Sequence, residues 1–352
     1  MQKTLLVKLV EEYYGAGKSE RVYGRLAEEM RLVGRSTWMP LWRCVAALRQ
    51  EFGPENVLVL GSTNDSLLAC LLGATSVNPL PPHYRCTNCH YTTFGRDRYA
   101  DGRLNVWPFL IAQTAFSRDR HADSRDTPDA VCPACGGSME GDGHRLSSRS
   151  LAMRLPDISL RVPDEMRQLV TDFIPDYWQR MDENGIFTVE PYSDEELTAL
   201  RLVQSDGQQG IIEIGALRDD APALEGLPPL MTTYHHIKAM GLQMAEGAWS
   251  RAEQVAIHRG EIDFLDVIAF REDVYDLIRR HTPPKARAEN GIPWQIMEAV
   301  CKGKYARFGM LEELKRYLSC TLRLPKYYIS ALKRIEYLPR KGDCVARWMM
   351  DE

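Results

Sequence analysis

The chain has 352 residues, 44% hydrophobic and 26% charged, with a formal net charge of −4, which suits a globular protein of about two domains. No apolar run approaches the ~18–20 residues that a membrane span requires, and the small net charge argues against a uniformly basic polyanion binder. The average hides an asymmetry: residues 172–225 carry 13 Asp and Glu against 3 Lys and Arg, whereas 271–347 carry 17 Lys and Arg against 9 Asp and Glu.

MQKTLLVKLVEEYYG predicts an amphipathic helix. Lys8, Glu11 and Glu12 among its apolar residues are wrong for a signal peptide, so the expected location is cytoplasmic. Helical spacing continues through Val22, Leu26 and Met30. STWMPLWRCVAALRQEFG predicts a third helix, capped by Ser36 and Thr37, with Pro40 in its first turns and Gly53 at its end. NVLVLG (56–61) reads as a strand, and DSLLACLLG (65–73) as a short helix capped by Asp65 or Asn64. VNPLPPHY (77–84) must be an extended connector, because proline fixes φ and removes a donor.

Residues 91–130 are polar and turn-rich. LPDISLRV (155–162) predicts a strand with Asp157 and Ser159 on one face. IFTVEPY (186–192) reads as another strand and SDEE (193–196) as a capping box. Six Gly and Pro residues mark 208–230 as the connection between domains. The remainder predicts helices in IDFLDVIAFREDVYDLIRRH, IPWQIMEAVCKGK, MLEELKRYL and KYYISALKRIEYL.

Nine cysteines are present. Cys86 and Cys89 form one Cys-x-x-Cys and Cys132 and Cys135 a second, so in a reducing compartment the pattern points to metal rather than disulfides. Four thiolates suit tetrahedral zinc and close its coordination shell, which makes the expected ion structural. Four unligated thiols are the alternative, and the 42 residues between Cys89 and Cys132 exceed ordinary ribbon spacing. His83, His90, His121 and His144 lie nearby and are expected at the surface. Cys44, Cys70, Cys301, Cys320 and Cys344 stand singly and are expected to be buried, inert thiols.

GSTNDSLLACLLGATSVNPLPPHYRCTNCHY resembles the palm of the PolC-type, family C DNA polymerase III alpha subunit. That family carries a Gly-Ser-Arg-Gly-Ser phosphate loop, a helix, then Val-Asn-Pro-Leu-Pro-Pro-His-Tyr and a Cys-x-x-Cys. CPAC and DGH (142–144) resemble its second cysteine pair and the residues after that pair, and LPDISL its Pro-Asp-Ile-Asp-Leu catalytic strand. GLQMAEGAW, DVIAFREDVYDLI, IMEAVCKGK and IEYLPR resemble its helical fingers in the same order. The resemblance touches most of 1–165 and 235–345.

Phosphoryl transfer in such an enzyme needs carboxylates that hold two metal ions. Asp157 matches the first, Ser159 stands where the second belongs, and the sequence shows no counterpart of the third, which the family carries on a Lys-Leu-Asp-Ile-Leu strand. Gly61-Ser62-Thr63-Asn64-Asp65 has lost the Arg and second Gly of the phosphate loop and gained an acid, which disfavours a triphosphate. In the fingers, Arg-Lys-Gly-Lys has become Cys301-Lys302-Gly303-Lys304, and Pro-Lys-Ala-His has become Pro339-Arg340-Lys341-Gly342. Counterparts of the family's exonuclease, phosphatase-like domain and clamp-binding tail are not expected within these 352 residues.

The expected fold is therefore α+β. A small mixed-sheet, palm-like domain (1–165) carries a four-cysteine zinc insertion (77–145), an acidic connecting region follows (166–234), and an all-helical, fingers-like domain (235–352) ends the chain. The resemblance implies a non-catalytic, PolC-derived protein that binds DNA, as primer–template or single strand, or replication proteins. Lys302, Lys304, Arg307, Arg340 and Lys341 are the expected contacts, on loops and helix ends open to phosphate oxygens. Two alternatives stand beside it. One is nucleotidyl transfer with Mg2+ through Asp157 helped by Asp164 or Glu165. The other is a protein-interaction scaffold without nucleic acid, whose acidic 172–225 region faces the partner. No membrane role is expected.

Overall fold

The computed structural model describes residues 2–15, 20–33, 38–94, 123–126, 129–152, 157–183, 212–217, 224–283 and 291–351. The fold is α+β and divides into two compact units, Met1–Asp219 with Met349–Glu352, and Asp220–Trp348. The boundary falls within the Gly- and Pro-rich stretch expected to connect domains. The predicted strand at 186–192, the capping box at 193–196, the caps Ser36 and Thr37, and His121 lie outside the described residues, as does most of the acidic 172–225 region.

The first unit begins with three helices, α1 (Gln2–Tyr14), α2 (Glu20–Val33) and α3 (Trp38–Phe52). Their apolar positions recur at helical spacing, so each turns one stripe inward. Trp38 and Trp42, one turn apart on α3, are fully buried edge to face with ring centroids 5.2 Å apart. Strand β1 (Leu58–Gly61) runs into a buried 3-10 turn, Ser62–Asp65, and then α4 (Leu67–Leu71). The cap of α4 is Ser66, whose hydroxyl accepts from the Ala69 N–H at 3.1 Å, rather than Asp65 or Asn64.

A helix of five residues is too short to hold itself together. Here Glu29 of α2, fully buried, accepts from the Leu67 and Leu68 N–H groups at 2.8 and 3.0 Å and from the Ser66 hydroxyl at 2.9 Å. Arg25, one turn earlier, pairs with Glu29 at 2.5 Å and donates to the carbonyls of Asp65 and Leu146. A buried carboxylate is stable only when donors surround it, and this one joins α2 to α4.

Strands β2 (His83–Cys86), β3 (Thr92–Thr93), β4 (Ala130–Val131) and β5 (Ser138–Asp142) form an antiparallel sheet in the order β3-β2-β5-β4. Strand β6 (Ile158–Val162) pairs antiparallel with β1 and parallel with β7 (Ile212–Ala216), giving a mixed sheet β1-β6-β7. The stretch read as a connector thus opens with a strand that completes this sheet. Helix α5 (Arg167–Glu183) follows β6, and its Phe173 meets Phe52 of α3 at 5.6 Å.

The second unit holds α6 (Thr233–Met244), α7 (Arg251–His258), α8 (Arg271–His281), α9 (Ile292–Cys301), α10 (Lys304–Phe308), α11 (Glu312–Arg316), α12 (Lys326–Arg334) and α13 (Lys341–Asp351) as far as Trp348. The long helix expected from Ile262 is shorter. Asp263 caps a 3-10 turn, Phe264–Asp266, and α8 starts only at Arg271, because Asp273 accepts from the Ala269 and Phe270 N–H groups at 2.8 and 3.0 Å. Lys238, almost fully buried, completes that knot by pairing with Asp273 at 2.7 Å.

Gly61, where β1 meets Asp157, has φ 101°, and a Cβ there would lie 1.9 Å from the Asp157 carbonyl oxygen. Gly73 also has positive φ, 82°, but a Cβ would meet nothing within 4 Å. Gly73→Ala should therefore cost about 1 kcal/mol, the strain of the backbone alone, whereas Gly61→Ala should cost about 3 kcal/mol or more. Urea unfolding of the two variants measures the difference, and equal losses would refute the close approach.

Candidate metal centre and the carboxylate face

The proline-rich connector owes its course to Asn78, which is fully buried. Its amide donates to the Tyr14 hydroxyl and to Asp142 Oδ2, both at 2.7 Å, and its own oxygen accepts from the Leu80 N–H at 3.1 Å. The N–H groups of His144, Arg145 and Leu146 donate to the carbonyls of Asn78, Leu80 and Pro79 at 2.8–2.9 Å. Held on both edges, the connector delivers β2 with Cys86 at its end.

The two Cys-x-x-Cys segments then fold alike. His90 N–H donates to the Cys86 carbonyl at 3.1 Å and Cys86 N–H to the Tyr91 carbonyl at 2.9 Å; Gly136 N–H donates to the Cys132 carbonyl at 2.9 Å and Cys132 N–H to the Gly137 carbonyl at 2.7 Å. Each knuckle turns back through one left-handed residue, His90 at φ 59° and Gly136 at φ 73°. The ligand atoms of Cys86, Cys89, Cys132 and Cys135 all lie within 4.8 Å of one another. Sγ–Sγ separations of 3.5 Å (Cys86–Cys135) and 3.6 Å (Cys89–Cys132) are close to the ~3.8 Å edges of a tetrahedron with metal–sulfur bonds of ~2.3 Å. The donor set fits a soft, thiolate-binding ion.

The thiols are electrostatically unequal. Burial raises Cys86, but the N–H groups of Cys89 and Asn88, donating to its sulfur, outweigh this and bring it down to about 6. Burial and the neighbouring thiols push Cys89 upward against the opposing hydrogen bond from the Tyr91 backbone, and burial raises Cys132. Four thiolates gathered at these separations repel one another, and a cation among them resolves that repulsion. Around the sulfurs, Tyr84, Ala130 and Met139 supply a small apolar core among the described residues.

Two of the histidines expected at the surface are interior. His83 is fully buried, stacked on Phe94 at 4.4 Å, with Nδ1 2.8 Å from the Pro81 carbonyl and Nε2 3.7 Å from Asp142. His144 lies 2.9 Å from Asp123, both buried. Cys44, Cys70, Cys301 and Cys344 are buried as expected, and burial pushes the first three up to about 12; Cys320 is instead exposed.

On the mixed sheet, Asp157 is exposed at the start of β6 and Ser159 is buried, its hydroxyl without a hydrogen-bond partner. The structure supplies what sequence reading missed. Strand β7 sets Glu213 in register beside Ser159. Glu213 pairs with Arg161 at 3.0 Å, and the Arg161 guanidinium lies over Gly215, where a Cβ would come within 2.6 Å of it. Alternation puts residues 157, 159 and 161 on one face, so Asp157, Ser159, Arg161 and Glu213 share it. The signal was the carboxylate in IIEIG, an alternating run hidden within a stretch rich in glycine and proline. Asp164 and Glu165 follow the far end of β6, roughly 16 Å of strand away from Asp157. Among the described residues, the four cysteines form the one cluster of three or more potential ligands.

In the second unit, Lys302, Lys304 and Arg307 are exposed around the turn between α9 and α10. Arg340 and Lys341 are not: they are 8% and 5% exposed. The Lys341 N–H donates to Glu272 at 2.9 Å, its ammonium lies 4.8 Å from the Tyr234 ring centroid, and Arg271 donates to the carbonyls of Leu338 and Pro339. These contacts draw 338–341 inward and correct the expectation that both cations face solvent.

No protein-family model matches the chain. Among curated proteins it is similar to the DNA polymerase III PolC-type of Latilactobacillus sakei subsp. sakei, 29% identical over 177 residues, which are 49% of this chain and 11% of that protein. The same protein of Thermotoga petrophila is 30% identical over 179 residues (49% and 12%), and that of Bacillus subtilis 28% over 158 residues (43% and 10%). The chain is a relative of the PolC-type DNA polymerase III. The matched part spans about a tenth of the length of these polymerases. In this relative, no helix among the described residues is long and apolar enough to cross a membrane.

Two measurements test the PolC-like module. The purified chain should carry one metal equivalent that Cys132→Ser loses and His90→Gly keeps; loss from the glycine variant would make His90 a ligand. Acid should destabilise the chain in two stages. Burial lowers the His83 pKa, so its contribution is complete above the unfolded value of ~6.5 and declines as pH falls below it. Asp142 is also lowered, since His83, Asn78 and Arg85 outweigh burial, and its contribution declines below ~4. Urea midpoints in which His83→Phe flattens the decline between pH 7.5 and 5.5 would confirm the first stage, and an unchanged slope would refute it.

Proposed function

We propose that the chain is a non-catalytic, polymerase-derived protein that binds DNA as an accessory to replication in the cytoplasm. Its palm-like part, which takes in β7 and ends near Asp219, is stapled by one structural zinc on Cys86, Cys89, Cys132 and Cys135, and its fingers-like part (235–352) carries the DNA contact. The observation that supports this reading is the carboxylate face. Two-metal transfer requires several carboxylates free to hold cations. Here the middle position is a buried serine, and Glu213 is already neutralised by Arg161. Asp164 and Glu165 stand at the wrong end of β6 to assist Asp157.

Binding is assigned to Lys302, Lys304 and Arg307, exposed cations on the turn into α10 and on that helix, of which Lys302 is held by Glu298 at 2.8 Å until a phosphate competes for it. Gly303 makes that turn possible: it has φ 61°, and a Cβ would lie 2.6 Å from the Glu336 carbonyl oxygen. The relatives named DNA polymerase III make a nucleic-acid partner the natural polyanion.

Fluorescence anisotropy of a labelled primer–template should show binding that weakens steeply with salt. Replacing Lys302, Lys304 and Arg307 together by Glu should abolish it or lower the salt slope by about 2–3, one phosphate contact each. No binding at low salt would overturn the assignment and leave a protein partner for the acidic region. Primer extension with Mg2+ that disappears in Asp157→Ala would overturn the non-catalytic reading.

A further inference from the structure

Helix α10 ends in an unusual exposure. Phe308 is 82% exposed and Leu311, three residues on, is 75% exposed, while Met310 between them is buried. Gly309, at φ 75° and ψ 162°, produces this by turning the chain so that Met310 enters the core and its neighbours leave it. An exposed Phe gains nothing for folding, so its position calls for a partner.

The surroundings identify the chemistry. Lys304 lies four residues before Phe308 on the same helix, hence on the same face, and is absent from the ion pairs of the described residues. The Arg307 guanidinium bonds the backbone carbonyls of Lys302 and Gly303 and lies 6.0 Å from the Phe308 ring centroid. Beyond Leu311, Lys315, Lys333 and Arg316 all act electrostatically on Glu312, holding its carboxyl below the usual range. The flat aromatic ring therefore has the Arg307 guanidinium beside it and Lys304 on its own helix face, and further cations, Lys315 paired with Glu312, follow in the next helix.

We infer that Phe308 is a stacking platform for an unpaired base, with Lys304 and Arg307 gripping the flanking phosphates, so that the turn reads single-stranded rather than duplex DNA. This rests on the DNA-binding reading above and specifies its form. Duplex DNA keeps its base faces stacked and offers this surface only phosphates; a single strand offers both phosphates and π-faces. A lipid surface fits less well. The two apolar side chains sit on a single turn, not a broad helical face, and Glu312 and Glu313 follow directly.

The test compares labelled oligo(dT) of about 20 nucleotides with a blunt duplex of equal length, using the full chain. The parent should prefer the single strand, and Phe308→Ala should weaken that binding by about tenfold while leaving the duplex unchanged. Phe308→Trp should keep the preference and show indole quenching on titration with oligo(dT). The ring is solvent-exposed, so these variants should unfold at the parent's urea midpoint. Salt-sensitive DNA binding that Phe308→Ala leaves unaltered for both ligands would overturn the stacking inference alone. Absence of any DNA binding by the parent would overturn both readings. Binding of phosphatidylserine vesicles lost in Phe308→Ala, with DNA binding unaffected, would assign the turn to a membrane surface instead.

Discussion

A carboxylate largely withdrawn from water needs donors around it to keep its charge, and Asp142, its side chain 16% exposed, is placed where that requirement organises the module around it. It accepts from the Tyr13 hydroxyl at 3.0 Å, the Asn78 amide at 2.7 Å and the Gly143 N–H at 2.8 Å, with Arg85 at 3.6 Å. These donors come from the first helix, the proline-rich connector, the end of β5 and β2. The position of the cysteine knuckles relative to the N-terminal helix is thus set by one charged group and its hydrogen bonds. Arg85 also lies 4.5 Å from the Tyr13 ring centroid, so the same pair is bound both by charge and by packing.

Glu29 repeats the device between α2 and α4. Neither connector nor α4 defines itself: Glu29 accepts from the free N–H groups at the start of α4, while Asp142 fixes the Asn78 side chain and the N–H groups of 144–146 meet the connector's carbonyls. The consequence at Ser62–Asp65 is plain. Trp42 donates to the Thr63 hydroxyl, Thr75 to the Asn64 side chain and Ser150 to Asp65, so this segment is a packed part of the core. Its polar atoms serve the fold rather than an open anion cradle.

Sequence legibility follows the range of the interactions. Cysteine spacing, proline stiffness and helical periodicity are local properties, and the knuckles, the connector and helices α1 to α3 could be read from them. Burial of a cation is not local. Lys341 is interior because Glu272, 69 residues earlier, and Tyr234 meet it, and nothing within Pro339-Arg340-Lys341-Gly342 reveals either. His83 and His144 were misplaced for the same reason: their partners Asp142 and Asp123 lie 59 and 21 residues away by sequence number. Strand β7 was missed because its pairing energy comes from β6, across a stretch where glycine and proline dominate the local signal.

On the carboxylate face, charge is met by groups of the chain itself. Carboxylates gathered on one face repel each other, and a metal site resolves this with cations brought from solution. On β6 and β7 the chain supplies its own cation: Arg161 reaches across to Glu213, and Gly215 leaves the space in which the guanidinium lies. Serine at 159 removes the charge between them. An ion pair this exposed, 27% and 67%, adds little stability. Its effect is electrostatic, because it reduces the negative field that would draw a divalent ion to Asp157. Scaffold and charge are thus carried by different groups here: the opposite face of β6 packs the sheet through Ile158, Leu160 and Val162, while Arg161 and Glu213 answer one another's charge.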